Sequence, residues 1–318
     1  MALSVDQALA IAWPSAIADG KRPFNQWSEQ ALLREMDKQG MIKRMNLGES
    51  ISVQIDHQAN PEAKVMTADD AAVFTTSVAK TEVISEAQYD IAEIVSPLAW
   101  SEKDENSASG EQAKVSFIAS LIDNGNESHN AVLEAGLFAT DGTLLGFDDL
   151  IDSTDGGGTV GGINASVDVM WKNQVGDPYT DGDDVEAAMT AVFLACAKGS
   201  GSDSAPTLIA TGVDGYATYE GALQAFQRFQ GGDKASGGFG AVLFKMVPVI
   251  YSQYADDASA FIFLNKKAYS VYVQKSAYRK LRPATYDQNS LMTVRHVYSA
   301  LQAIVTTRSR LGVLTITG

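Results

Sequence analysis

Residues 152–174 read DSTDGGGTVGGINASVDVMWKNQ, and the fold class turns on how these glycines are read. Gly156, Gly158 and Gly161 stand at GxGxxG spacing, the pattern with which a strand–turn–helix unit cradles a pyrophosphate. That use needs a buried strand just before the loop and a helix just after it, so that the helix N-terminus meets the anion. Here DDLIDSTD precedes, polar and acidic, and INASVDVMW follows, alternating as a strand does. No GK[ST] follows, and Asp148, Asp149, Asp152 and Asp155 would repel an anion. Gly156, Gly158, Gly161 and Gly162 therefore read as a flexible, tightly turned connection. VDVMWKN reads as a strand anchored by Trp171 and Asn173. A nucleotide-binding enzyme working through residues 156–161 is kept as the alternative from another class.

The composition points the same way. A chain of 318 residues with 45% apolar and 20% charged residues is long enough for one or two domains with a sizeable core. A formal charge of −15 excludes a broad phosphate-binding face, since nucleic-acid binders need clustered Lys and Arg. Cys196 is the single cysteine, so no intrachain disulfide forms, and its apolar run (AVFLAC) suits a buried thiol. The N-terminus lacks a basic n-region and Pro14 interrupts its apolar part, so neither a signal peptide nor a membrane anchor is expected. A cytoplasmic site of synthesis and no membrane partner follow as expectations.

Outward from the glycines, the N-terminal 25 residues read as an extended arm needing an outside surface. After it, SEQALLREMDKQG predicts a short amphipathic helix with Leu32, Leu33 and Met36 on one face and Gly40 at its end. ESISVQI (49–55) alternates, and after the polar tip DHQANPEAK the run AAVFTTSVAKTEV predicts the returning arm of a long hairpin. Such a ribbon is marginal alone and must pack on the body or on a neighbour. Residues 84–100 alternate again. The longest helical pattern covers about 109–138, with Val115, Ile118, Ile122, Val132, Leu133 and Leu137 at helical spacing and Gly125 as a point of bending or breakage. Helices over 185–198 and 216–229, a strand at TLIA after Pro206, and a strand-rich remainder complete an α+β pattern.

No catalytic set emerges. His57, His129 and His296 are far apart, without paired metal spacing, and there is no GxSxG elbow. Asp181, Asp183 and Asp184 lack the glycine and distal glutamate of a calcium loop and read as a helix cap. No cofactor is expected. Lys275, Arg279, Lys280, Arg282, Arg308 and Arg310 form a modest basic cluster, which suits either surface ion pairs or a patch meeting another subunit's acidic surface.

The order of parts, with GGINASVDVMWKNQ after the long helix, APTLIATGVDGYATYEGALQAFQRF, FGAVLFKMVPVIYS, FIFLNKKAYSVYV and the closing RSRLGVLTITG, resembles the major capsid proteins of tailed bacteriophages, the Hong Kong 97-like fold. The resemblance spans nearly the whole chain. It implies an N-terminal arm at 1–47, an extended loop at 48–84 and a peripheral domain at 85–178 with the spine helix. An axial domain at 179–287 and a return to the peripheral domain at 288–318 would complete it. It further implies a structural protein of the virion, assembled in the bacterial host cytoplasm into homo-pentamers and homo-hexamers around double-stranded DNA, without sequence-specific contact. Scaffolding protein and portal are the further partners implied, with a decoration protein as an option. Candidate inter-subunit contacts are Trp13, Phe24, Asp56, His57, Lys64, Arg279, Arg282, Arg308 and Arg310. The chain departs from many members in carrying Ala165 and Ser166 where an arginine follows the Gly-Ile-Asn step. Lys64 resembles a cross-linking lysine of some members, but no asparagine partner is identified and no isopeptide bond is expected. An encapsulin-like nanocompartment shell is the close alternative.

Overall fold

The computed structural model describes residues 5–9, 12, 31–56, 84–107, 111–140, 142–180, 184–197, 204–227, 242–255, 260–287 and 291–317. Leu32, Leu33 and Met36 form the buried stripe of α1 (Ala31–Lys38). Gly40 ends it at φ +73°, a left-handed turn that glycine adopts without strain. After β1 (Ile42–Met45), β2 (Ser50–Asp56) pairs antiparallel with β3 (Ile84–Asp90), from Ser50 opposite Asp90 to Asp56 opposite Ile84. The hairpin's described returning arm is therefore 84–90; the expected arm at 71–83 lies outside the described residues.

β4 (Ala92–Ser101) alternates buried and exposed along its length. It is followed by α2 (Glu102–Ser107) and the spine helix α3 (Glu111–Phe138), whose 28 residues span about 42 Å. Gly125 does not break α3. A Cβ there would lie 2.7 Å from a Leu98 methyl, so the glycine instead lets the helix sit close on β4. Ile118, Ile122, Leu133 and Leu137 are buried as expected, whereas Val115 and Val132 are 69% and 50% exposed. Those two fall off the stripe because polar residues of the same helix occupy part of the buried face.

The middle of the chain runs through α4 (Phe147–Leu150), β5 (Thr159–Val160), β6 (Ile163–Asn164), a 3-10 turn at Val169–Trp171, β7 (Gln174–Val175) and β8 (Tyr179–Thr180). The strand expected at VDVMWKN is thus that single turn. Its alternation misleads because Val167, Val169 and Met170 are exposed rather than packed. Next come α5 (Val185–Cys196), β9 (Leu208–Thr211) and α6 (Val213–Gln227). Asp184 caps α5 by accepting the N–H groups of Glu186 and Ala187 at 3.0 and 3.3 Å. β10 (Val242–Phe244) and β11 (Val247–Tyr251) form a hairpin that turns through Lys245 and Met246 at positive φ. β12 (Ala260–Leu264), β13 (Tyr269–Gln274), β14 (Lys280–Leu281), β15 (Thr285–Asp287), β16 (Met292–Val305) and β17 (Gly312–Thr317) complete the chain.

Two larger sheets organise these strands. In the first, of six strands, the order is β1-β13-β16-β14, and β4 and β15 also pair with β16. β4 does so along its full length, from Ala92 opposite Leu301 to Ser101 opposite Met292. In the second, of seven, the order is β10-β11-β9-β12-β17-β7, with β8 on β17. Hydrogen bonding therefore does not divide the chain at 287/288. β13 and β15 belong with β16, and closing strand β17 returns to the sheet of β9 and β12. The crossing lies between β12 and β13, where buried Asn265 donates to the Ala205 carbonyl at 2.7 Å. Contiguous strand-like sequence looks alike whether the chain stays in one sheet or leaves it.

Residues 5–9 are helical, and Val5 and Leu9 are buried with Leu98, Trp100, Ile118, Ile122 and Val297. This start of the arm thus rests on its own chain rather than on an outside surface. No described helix is long and apolar enough to cross a membrane.

Candidate assembly surfaces

The β2–β3 ribbon forms a sheet of its own, so backbone pairing to a third strand does not hold it to the body. One face is apolar: Ile51, Ile55, Ala87 and Tyr89 are buried in the main core, while Ser52, Gln54, Glu86 and Gln88 are exposed. The Tyr89 hydroxyl donates to the Val305 carbonyl at 2.9 Å, and burial pushes its phenol up to about 12. Asp56, a candidate contact, ends β2 opposite Ile84. Trp13, Phe24, His57 and Lys64 lie outside the described residues.

The glycine-rich segment lies against this ribbon. Gly156, Gly158, Gly161 and Gly162 all have φ between +60° and +81°. The Gly161 carbonyl accepts the Gln88 N–H at 3.0 Å, and a Cβ on Gly161 would stand 2.8 Å from Ala87 Cβ and 3.1 Å from the Tyr89 ring. A Cβ on Gly156 would lie 2.3 Å from the Asn173 carbonyl. These glycines answer to turn geometry and close approach.

Trp171 and Asn173 stand behind the turn. Trp171, 2% exposed, donates from Nε1 to the Val160 carbonyl at 3.1 Å. Asn173 exchanges hydrogen bonds with the Asp152 backbone, accepting its N–H at 3.0 Å and donating to its carbonyl at 2.8 Å. The Asp152 carboxylate accepts the N–H groups of Thr154, Asp155 and Gly157. Partial burial alone would raise its pKa, but the hydrogen bonds outweigh that and hold it at about 2.

Arg308, counted among the basic contacts, is only 1% exposed and cannot reach a neighbouring subunit. It donates from Nε to the Leu150 carbonyl at 2.8 Å and from Nη1 to the Trp171 carbonyl at 3.4 Å, tying the ends of the loop together. An arginine in a terminal basic run looks like surface in sequence. Its burial depends on carbonyls more than a hundred residues away, which local pattern does not reveal.

The other arginines are more accessible. Arg282 is exposed, with its guanidinium 4.3 Å from the centre of the Tyr298 ring. The Tyr298 hydroxyl donates to Glu93 at 2.6 Å, a bond that pushes its pKa up. These residues, with Lys280, Gln274 and Glu49, line an open groove of about 540 Å³ at the root of the ribbon. Arg310 is half-buried in the 3-10 turn Arg308–Arg310. Arg279 is half-buried at φ +49° and donates to Asn130 Oδ1 at 2.5 Å.

That last bond leads to a set of residues the sequence reading passed over. Glu127, His129, Asn130 and Glu134 of α3 are all buried. His129 Nδ1 lies 3.2 Å from Ser96 Oγ, and burial, aided by the Arg279 charge, lowers the imidazole to about 4. Glu134 accepts from Ser252 at 2.5 Å and from the Leu33 N–H at the start of α1, while burial raises its pKa. The sequence signal was the i, i+3, i+7 spacing of Glu127, Asn130 and Glu134, masked by attention to apolar positions alone. Among the described residues no three His, Cys, Asp or Glu side chains gather as a metal site.

No family model matches the sequence, and neither does any curated protein. Solved structures do match, over nearly the whole chain. The capsid protein of cyanophage A-1(L) matches with a TM-score of 0.61 at 13% identity, covering 93% of this chain and 96% of that one. The capsid of the native GTA particle matches at 0.59 and 13% identity, covering 95% and 99%. The SrpI encapsulin of Synechococcus elongatus PCC 7942 matches at 0.51 and 9% identity, covering 95% and 94%. The mixed α+β architecture of this chain has the fold of these phage and GTA capsid subunits, which the SrpI encapsulin shares.

Proposed function

We propose that this chain is the major capsid protein of a tailed bacteriophage, assembling into pentamers and hexamers that close an icosahedral head around double-stranded DNA. The observation that carries the reading is the end-to-end match to phage capsid subunits, with almost no unmatched chain on either side. The six-stranded sheet and spine helix would form the peripheral domain and the seven-stranded sheet the axial domain. The β2–β3 ribbon would be the root of the extended loop. A ribbon with one buried face and no third strand among the described residues gains from covering a neighbour, because its exposed edges can pair there. Arg279, Arg282 and Arg310 are the candidate contacts in the described residues that keep accessible surface, Arg282 the most; Asp56 belongs to the ribbon. Scaffolding protein and portal would be further partners, and the acidic charge would keep packaged DNA from adhering to the wall.

Negative-stain electron microscopy of the expressed chain, alone and with its scaffold, tests this. Closed shells holding nuclease-protected DNA in infected cells support it; a chain that stays monomeric under both conditions overturns it. The SrpI match favours a second reading, a nanocompartment shell, and uniform small shells loaded with protein would select that one. Deleting residues 56–66 should leave a folded, soluble subunit that builds no closed shells. Tight nucleotide binding by the monomer, lost in Gly158→Val, would point instead to the enzyme alternative.

A further inference from the structure

We infer that the glycine turn at 158–163 is a pivot that sets the direction of the β2–β3 ribbon relative to the body, with Gly161 as its positioning residue. The inference rests on the capsid reading only where it concerns assembly.

Among the described residues the ribbon has no third strand to fix its angle, so the angle depends on what its sides touch. One polar side contact is a backbone bond from Gln88 N–H to the Gly161 carbonyl, which points away from β2. A second is the Tyr89 hydroxyl on the Val305 carbonyl of β16. Between them Gly161 approaches so closely that a methyl group would collide with Ala87 Cβ at 2.8 Å and with the Tyr89 ring at 3.1 Å. Both obstacles belong to β3, so a larger residue at 161 pushes on the ribbon itself. The turn cannot easily yield in the other direction. Its strands β5 and β6 pair with each other, Ala165 N–H bonds the Gly158 carbonyl at 3.0 Å, and the Trp171 indole holds Val160. Asn173 N–H holds the Gly156 carbonyl at 3.2 Å, and Arg308 fastens Leu150 and Trp171 behind them. A stiff turn against a ribbon with no sheet partner among the described residues makes the ribbon the element that moves.

Site-directed spin labels at Gln54 of β2 and Val132 of α3, both exposed, read the angle in dispersed subunits. Cys196 is fully buried and stays unlabelled. Gly161→Ala should shift and broaden the distance distribution while thermal melting stays cooperative. Ala87→Gly added to Gly161→Ala should move the distribution part of the way back, because it removes the colliding methyl while the Tyr89 ring and the positive φ of residue 161 remain. If Gly161→Ala does not fold, Gln88→Pro serves instead. It deletes the N–H that leaves the ribbon, sets its ring against the Gly161 carbonyl and spares the bonds to β2, so it should also shift the distribution. The assembly arm expects closed-shell yield to fall about tenfold in Gly161→Ala and to recover in part in the double variant. An unchanged distance distribution in a folded Gly161→Ala or Gln88→Pro subunit overturns the pivot, whatever the shells do. Wild-type subunits that form no shells while the distance shifts would overturn the capsid reading and leave the pivot standing.

Discussion

The two sheets bury their helices in opposite ways. Under α5 and α6 the seven-stranded sheet packs Phe244, Phe261 and Phe263 against Met189 and Val192 of α5 and Tyr219 of α6, and aromatic rings meet edge to face. Under the spine helix the six-stranded sheet presents Ser96, Arg295 and Ser299 among its apolar residues, and α3 carries buried Glu127, His129 and Asn130, with Glu134 turned to Ser252 and α1. The first interface depends on apolar area and shape, which have little pH dependence. The second includes hydrogen bonds from buried ionisable groups to neutral partners, as His129 to Ser96 and Arg279 to Asn130, so it weakens wherever such a group must change charge. One chain thus combines a core indifferent to acid with a core sensitive to it.

The largest expected effect lies in the apolar interface. Phe261→Ala removes a fully buried ring and should cost about 3–5 kcal/mol, equally at pH 7 and pH 5, in urea titrations of the dispersed subunit. A strong pH dependence of that loss would break the contrast. Arg308→Met comes next, at about 2–3 kcal/mol, since it leaves the Leu150 carbonyl buried without its donor. Its loss should be matched by neither Arg282→Met nor Arg310→Met.

The acid response sharpens the comparison. His129 titrates at about 4 in the fold and about 6.5 unfolded, so between those values the unfolded chain binds the extra proton. Stability therefore falls as pH drops from about 6.5 to about 4, by up to about 3 kcal/mol. Glu134, raised in the fold, contributes in the opposite sense: its stabilisation is present at low pH and is lost as pH rises through its folded pKa. The slope that disappears in His129→Gln isolates the histidine, and an unchanged slope would remove it from the acid-sensitive interface. The smallest effect concerns Asp152, whose lowered pKa places its contribution above the ordinary carboxylate range and its loss as pH falls toward about 2. Asp152→Asn should shift the acid-unfolding midpoint slightly upward, read by tryptophan fluorescence.

Much of the architecture was legible wherever one periodic run meets one partner. Leu32, Leu33 and Met36 on α1, the alternation of β4 and the extent of α3 follow from side-chain period alone. The resemblance to phage coat proteins rested on the order of such runs, and the whole-chain structural matches agree with it in fold. The candidate contacts fared differently, because an isolated arginine carries no period. Arg308 and Arg282 look equivalent in sequence, yet one is sealed among carbonyls and the other lies on Tyr298 at the surface. Val167 and Val169 alternate like strand residues although both are exposed.

By itself, then, the amino-acid sequence determined the local elements, the unsuitability of the glycine loop for an anion and the α+β class. These depend on interactions within a few residues. Tertiary structure alone decided that β13 and β17 exchange sheets, that Gly125 is a contact rather than a helix break, and that Gly161 touches the hairpin. Each is a meeting of segments far apart in the chain. A glycine's role there is set by the atom that would collide with its missing Cβ, and that atom belongs to another element.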